Sequence, residues 1–159
     1  MSNEAAHPDT PQPPISPYLT LDRGIEAMEW YKRGLGATEL SRQLTPDGAK
    51  LVHGALLING GAVFLSDDFA ENTDERSSPA ALGGSPVTIH MIMDDVDTLY
   101  NRAIAAGATA SMPLADMFWG SRYGQLVDPF GHHWSFGTPQ KPLTQAELDK
   151  GTAEAFKGG

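Results

Sequence analysis

The chain has 159 residues, a formal net charge of −9 and no cysteine. That length suits one domain or two fused small modules, and it is enough for a hydrophobic core without a disulfide or metal staple. The missing cysteine excludes thiolate catalysis, zinc-finger ligation and disulfide frameworks and fits a cytoplasmic setting; the acidic surface would be repelled by a phosphate backbone or an anionic membrane, so neither a nucleic acid nor a membrane is expected as partner.

Residues 1–14, MSNEAAHPDTPQPP, contain four prolines and little that is apolar, and read as a disordered tail. They lack the basic start and apolar run of a signal peptide, and no apolar run in the chain approaches the roughly 20 residues of a membrane span. A first repeat is expected over 15–73. It opens with a strand from Ser16 to Leu21, followed by a helix with Ile25, Met28, Lys32 and Leu35 on one face and Gly36 as its stop. Three strands follow, punctuated by Pro46–Gly48 and Asn59–Gly61. The polar, Pro/Gly-rich stretch 74–85 reads as a linker. The second repeat, 86–138, begins with a strand from Val87 to Met93. Its helix places Val96, Leu99, Tyr100 and Ala103 at i, i+3, i+4, i+7 and stops at Gly107. WGSRYGQLV then leads through the turn DPFG into HHWSF. Residues 139–159 form a polar C-terminal tail, helix-prone after Leu143.

The halves are related by an internal repeat. Gly36-Ala37-Thr38 recurs 71 positions on as Gly107-Ala108-Thr109, and Gly60 maps onto Gly131 by the same shift; Asp22 of YLTLD maps onto Asp94 of HMIMD by 72. Each half therefore reads as βαβββ. The fold class is α+β: two βαβββ modules forming a curved, open eight-stranded mixed sheet with helices outside, whose concave side is a ready ligand cavity.

The paired pattern resembles the vicinal oxygen chelate superfamily of glyoxalases, bleomycin-resistance proteins and dioxygenases. ISPYLTLDRGIEAMEWYKRGLGATEL, LVHGALL and the run FWGSRYG…DPFGHHWS look like its PhnB-like branch, over about residues 15–138. The resemblance implies the fold and a homodimer. It also implies four inward metal-ligand positions, one on the first and last strand of each module. Counted from flanking motifs, these fall on Ser16, Phe64, Thr88 and Ser135. Hydroxyls and a phenyl ring do not replace imidazole and carboxylate donors, so a divalent metal cofactor is not expected.

Strand alternation puts His90 and His133 on the inward face and His132 with Trp134 and Phe136 under the helices. The direction of His53 is open, because its strand is apolar on both faces. His90 is the candidate catalytic acid–base, since imidazole titrates near neutrality. Trp119, Arg122 and Tyr123 would suit an anionic or planar ligand by stacking and forked hydrogen bonds, or form only the lip of the fold. With Tyr18, His53 and His133 they make the candidate ligand pocket. The reading is a small-molecule-binding protein without the usual superfamily metal. Its rivals are a metal-dependent lyase, isomerase or dioxygenase with a relocated site on His53, His90 and His133, a protein that sequesters an antibiotic, and a metal-free enzyme using His90.

Overall fold

The computed structural model describes residues 13–158, so residues 1–12 of the expected tail lie outside the described residues. The first module consists of β1 (Tyr18–Leu21), α1 (Gly24–Leu35), β2 (Thr38–Leu44), β3 (Leu51–Ile58) and β4 (Gly61–Asp67). The connection carries a 3-10 turn (Thr73–Glu75) and a one-turn helix, α2 (Pro79–Leu82), capped by Ser78 with Pro79 at its first position. The second module repeats the order with β5 (Thr88–Ile92), α3 (Val96–Ala105), β6 (Thr109–Asp116), β7 (Ser121–Val127) and β8 (His133–Pro139). After Leu143 the chain forms α4 (Gln145–Ala155), begun by a capping box between Thr144 and Glu147.

Each module makes a four-stranded mixed sheet, ordered β1-β4-β3-β2 and β5-β8-β7-β6. The expected βαβββ modules are thus present, and their eight strands hydrogen-bond as two sheets of four. The duplication reaches the fine detail. Asp67, at the end of β4, accepts from the first amide of α1, Gly24 N, at 2.7 Å. Thr138, 71 residues on, accepts from the first amide of α3, Val96 N, at 3.2 Å. Each satisfies a helix-start donor that no earlier turn can reach.

β1 and β5 are the inner edges. Pro17 and Leu21 turn their carbonyls toward β4, so the Thr20 carbonyl points away. It accepts His132 Nε2–H from the second module at 3.0 Å, which fixes the proton of that imidazole on Nε2. Met93 N bonds back to Gly137 O of β8, so the Ile92 carbonyl also points away. It accepts from Asn59 Nδ2 of the first module at 2.8 Å. Each open edge is therefore capped by a side chain of the opposite module.

The core runs between the modules. α1 buries Met28 and Leu35 as the periodicity requires, and also Ala27, Trp30 and Tyr31, because its second flank faces α3 and β8. Trp30 Nε1 donates to Ala106 O just after α3 at 2.8 Å. Tyr31, Phe130 and Trp134 meet at ring-centroid distances of 5.6–6.1 Å. At their centre Asp128 accepts from Tyr31 Oη (2.5 Å), Trp134 Nε1 (2.9 Å), Phe130 N (2.9 Å) and His132 N (3.0 Å). Among the described residues, no helix is long and apolar enough to cross a membrane.

Candidate functional site

In both sheets one face is taken up by helix packing, and alternation hands the other to the candidate residues. In the first sheet Gly54 lies under the Met28 sulfur and pairs with Leu65, which sends His53 and Phe64 to the opposite face. This settles the direction of His53 that the sequence left open. Tyr18 pairs with Phe64 across the parallel ladder. Tyr18 Oη and His53 Nδ1 share a hydrogen bond of 2.9 Å, and the three rings lie 5.5–5.9 Å apart. Tyr18 is 54% exposed, so this cluster lines open surface.

In the second sheet Gly124 lies against Tyr100 and Leu114, and Phe136 meets Tyr100 edge-on, so these mark the helix side. Tyr123, Gln125 and Ser135 occupy the other face. His90 pairs with Ser135 across the ladder, and His90 Nδ1 shares a 2.8 Å hydrogen bond with Ser135 Oγ. Ser135 is buried while His90 is exposed, so the serine anchors one ring nitrogen, and Nε2 has no partner among the described residues. Tyr123 lies 5.9 Å from the His90 ring, and Trp119 stands edge-on to Tyr123 at 5.5 Å. Tyr123 Oη accepts from Gln125 Nε2 at 2.8 Å, which leaves its own proton free to be donated. Trp119 sits on the β6–β7 hairpin tip with Phe118. The tail holds that tip: Gly120 O accepts from Gln140 N and Lys141 N, and Phe118 packs against Gly151 of α4.

The register pairs the counted positions on β4 and β8 with other residues than those counted on β1 and β5. The residue opposite Phe64 is Tyr18, and the residue opposite Ser135 is His90. Ser16 and Thr88 each lie two residues early, on the same face but further along the strand. The repeat supports this pairing, since Tyr18 maps onto His90 by 72 and Phe64 onto Ser135 by 71. The four paired positions thus carry a phenol, a phenyl ring, an imidazole and a hydroxyl.

Arg122 faces the other way. Its guanidinium forks onto Asp97 of α3, with both contacts at 2.8 Å, and reaches Asp116 at 3.1 Å. The pairing holds the Asp97 carboxyl below the usual carboxylate range and raises Arg122 further. The structure therefore does not bring Arg122 together with Trp119 and Tyr123: one residue of alternation separates them. Nor are the histidines assembled. His53 bonds Tyr18 on one sheet, His90 bonds Ser135 on the other, and His133 lies beside α2. Among the described residues no three His, Asp or Glu side chains group as a metal site. His132 is buried, as expected from its strand face. Gln125 and Phe118 escaped the sequence reading. Gln125 was legible as the inward residue two after Tyr123, whereas Phe118 matters only through α4.

Two related βαβββ modules, each with a helix-covered sheet and a polar–aromatic open face, define the glyoxalase-type class of folds. A family profile of the Glyoxalase/Bleomycin resistance protein/Dioxygenase superfamily matches residues 22–136, and the chain belongs to that superfamily. It is 46% identical over 138 residues to an uncharacterized protein of Mycobacterium tuberculosis, Rv0887c, covering 86% of this chain and 81% of that one. Among solved structures it is similar to TioX from Micromonospora sp. ML1, with 27% identity, a TM-score of 0.63, and 80% and 99% of the two chains covered. It also shares the fold of a PhnB protein from Bacillus cereus, with 18% identity, a TM-score of 0.62, and 79% and 99% covered.

Proposed function

We propose that the chain is a PhnB-like member of its superfamily that binds a neutral, planar organic molecule on the open face of the second sheet, without the usual superfamily metal. The observation that carries this reading is the His90–Ser135 pair beside the Tyr123–Trp119 wall. Tyr123 offers a donor, His90 Nε2 offers a donor or an acceptor, and Trp119 offers a ring for stacking. A conjugated carbonyl compound meets all three. An anion does not, because Arg122, the cation nearest in sequence, is held by Asp97 and Asp116.

A zinc, iron, nickel or manganese ion fits the paired positions poorly. Tyr18, Phe64, His90 and Ser135 supply one imidazole, where a catalytic site needs about three strong donors. His90 stands where it could move a proton for a bound ligand, and that would make the protein a metal-free enzyme. A cytoplasmic homodimer goes with this reading, and light scattering at micromolar concentration reads the dimer.

The test is titration of tryptophan fluorescence with coumarin, a neutral planar lactone, and with coumarin-3-carboxylate. Coumarin should bind saturably and at least about tenfold more tightly than its anion, a difference of about 1.4 kcal/mol. Trp119→Ala and Tyr123→Phe should each weaken it several-fold. Preference for the anion, or stoichiometric metal in protein purified without a nickel column, would overturn the reading.

A further inference from the structure

A cavity lies at the seam between β1 and β5, two residues further along the strands than Tyr18 and His90. It encloses about 570 Å³ and is roofed by Pro79 and Leu82 of α2. That volume is within the range of about 300–1,000 Å³ usual for small-molecule sites. Leu19 and Ile89 form its walls, and Ile15, Leu82 and Val87 at its rim are 63–88% exposed. Its lining contains no Asp, Glu, Lys or Arg. In a chain with 31 such residues among 159, that exclusion defines a site for an uncharged molecule.

Two of the polar side chains in the wall, Ser16 and His133, stand without partners among the described residues. Ser16 Oγ is buried without a hydrogen bond, the single such side-chain atom among the described residues. His133 also lines the seam, and its imidazole has no hydrogen-bond partner among the described residues, whereas its neighbour His132 is bonded to the β1 edge. A polar group covered without a partner costs stability, so a ligand seated here gains by offering a hydrogen bond to one of them.

We propose that this seam cavity is a second binding site, taking a neutral apolar molecule of two or three rings whose single hydrogen-bonding group pairs with His133. Apolar burial supplies the affinity and His133 sets the orientation. The site is separate from the Trp119–Tyr123 wall, none of whose aromatics lines it.

The probe is N-phenyl-1-naphthylamine, an uncharged fluorophore with one N–H. Wild-type protein should bind it one to one with a micromolar dissociation constant. Thr88→Trp fills the cavity and Leu82→Glu charges its exposed roof; each should weaken binding about tenfold or more without loss of fold by circular dichroism. His133→Phe should weaken the amine several-fold yet leave 1-benzylnaphthalene, read by competition, within about twofold. Tyr123→Phe and added coumarin should change nothing. Absence of saturable binding, binding that survives both Thr88→Trp and Leu82→Glu, or binding abolished by Tyr123→Phe would each overturn the proposal. Equal loss of both probes in His133→Phe would overturn the role given to that histidine. Failure here leaves the coumarin titration untouched, so the two proposals fall separately.

Discussion

Replacing Asp128 by Asn tests whether the inter-module core depends on a charged centre. Asp128 is 4% exposed and accepts four hydrogen bonds, two from backbone amides and two from Tyr31 and Trp134. In Asp128→Asn the amide oxygen can keep the Phe130 and His132 amides. The new NH2 then faces Tyr31 Oη and Trp134 Nε1–H. The tyrosine hydroxyl can turn and accept; the indole cannot, and it is left as a buried donor facing a donor. An unsatisfied buried donor costs about 1–3 kcal/mol, and charge-assisted bonds of about 1.5–3 kcal/mol are reduced to ordinary ones. The sum is about 3–5 kcal/mol, a large share of the roughly 5–15 kcal/mol that keeps a domain folded. Urea denaturation followed by tryptophan fluorescence should show the midpoint falling with the slope unchanged. A loss below about 1 kcal/mol at unchanged slope would refute the assignment of this carboxylate as the hub of the core.

Tyr31 is pushed well above its usual pKa by burial and then by the neighbouring Asp128 charge. Its folded value lies above the unfolded value near 10, so its contribution is intact below about pH 10 and is lost as pH rises through the folded value. Thermal midpoints between pH 9 and 11 should fall for the wild type and fall less steeply for Tyr31→Phe; an identical slope would reject that cause. Arg122→Ala should leave coumarin affinity within about twofold, because Arg122 faces Asp97 and Asp116, whereas a tenfold loss would place it in the site after all. A methyl added at Gly137 would stand 3.1 Å from His90 Cε1 and 3.4 Å from Nε2. Gly137→Ala should displace the imidazole from Ser135, change the His90 ring signals in NMR spectra and weaken coumarin several-fold, at a stability cost of about 1–3 kcal/mol. Unchanged His90 signals would contradict that packing.

Much of the fold was legible because the two modules share one punctuation. Gly36, with φ of 65°, is the left-handed helix stop its sequence position requires. The 71-residue shift predicts matching strand ends, and Asp67 and Thr138 show the shift acting as two versions of one helix anchor. The extra buried flank of α1 was not legible, since Trp30 and Tyr31 extend the stripe named by Ile25, Met28, Lys32 and Leu35 to a side that meets rings and backbone of the second module. Asp128 reads in sequence as the first residue of a turn; its two indole and phenol donors arrive from 6 residues on and 97 residues back. At the site, alternation placed His90 and Tyr123 but could not separate Arg122 from them, because adjacent residues of a motif look joined until the pleat parts them. Ser16 and Thr88, counted from the motifs, stand two residues from the cross-strand partners of Phe64 and Ser135. A displacement of two keeps the face, so nothing in the pattern signals it, and only the cross-strand register reveals that Tyr18 and His90 are the paired residues.

The reciprocal capping of β1 by His132 and of β5 by Asn59 bears on how such a chain can be divided. A protease cut at 74–85 that let the modules part would bare an unguarded ladder on each fragment, together with the indole and phenol rings that had been shared between them. Fragments of that kind stick to one another end on end, and a gene fragment encoding one module would be expected to yield insoluble protein. Duplication has therefore left this chain with halves that shield each other from aggregation, and neither retains the means to do so alone.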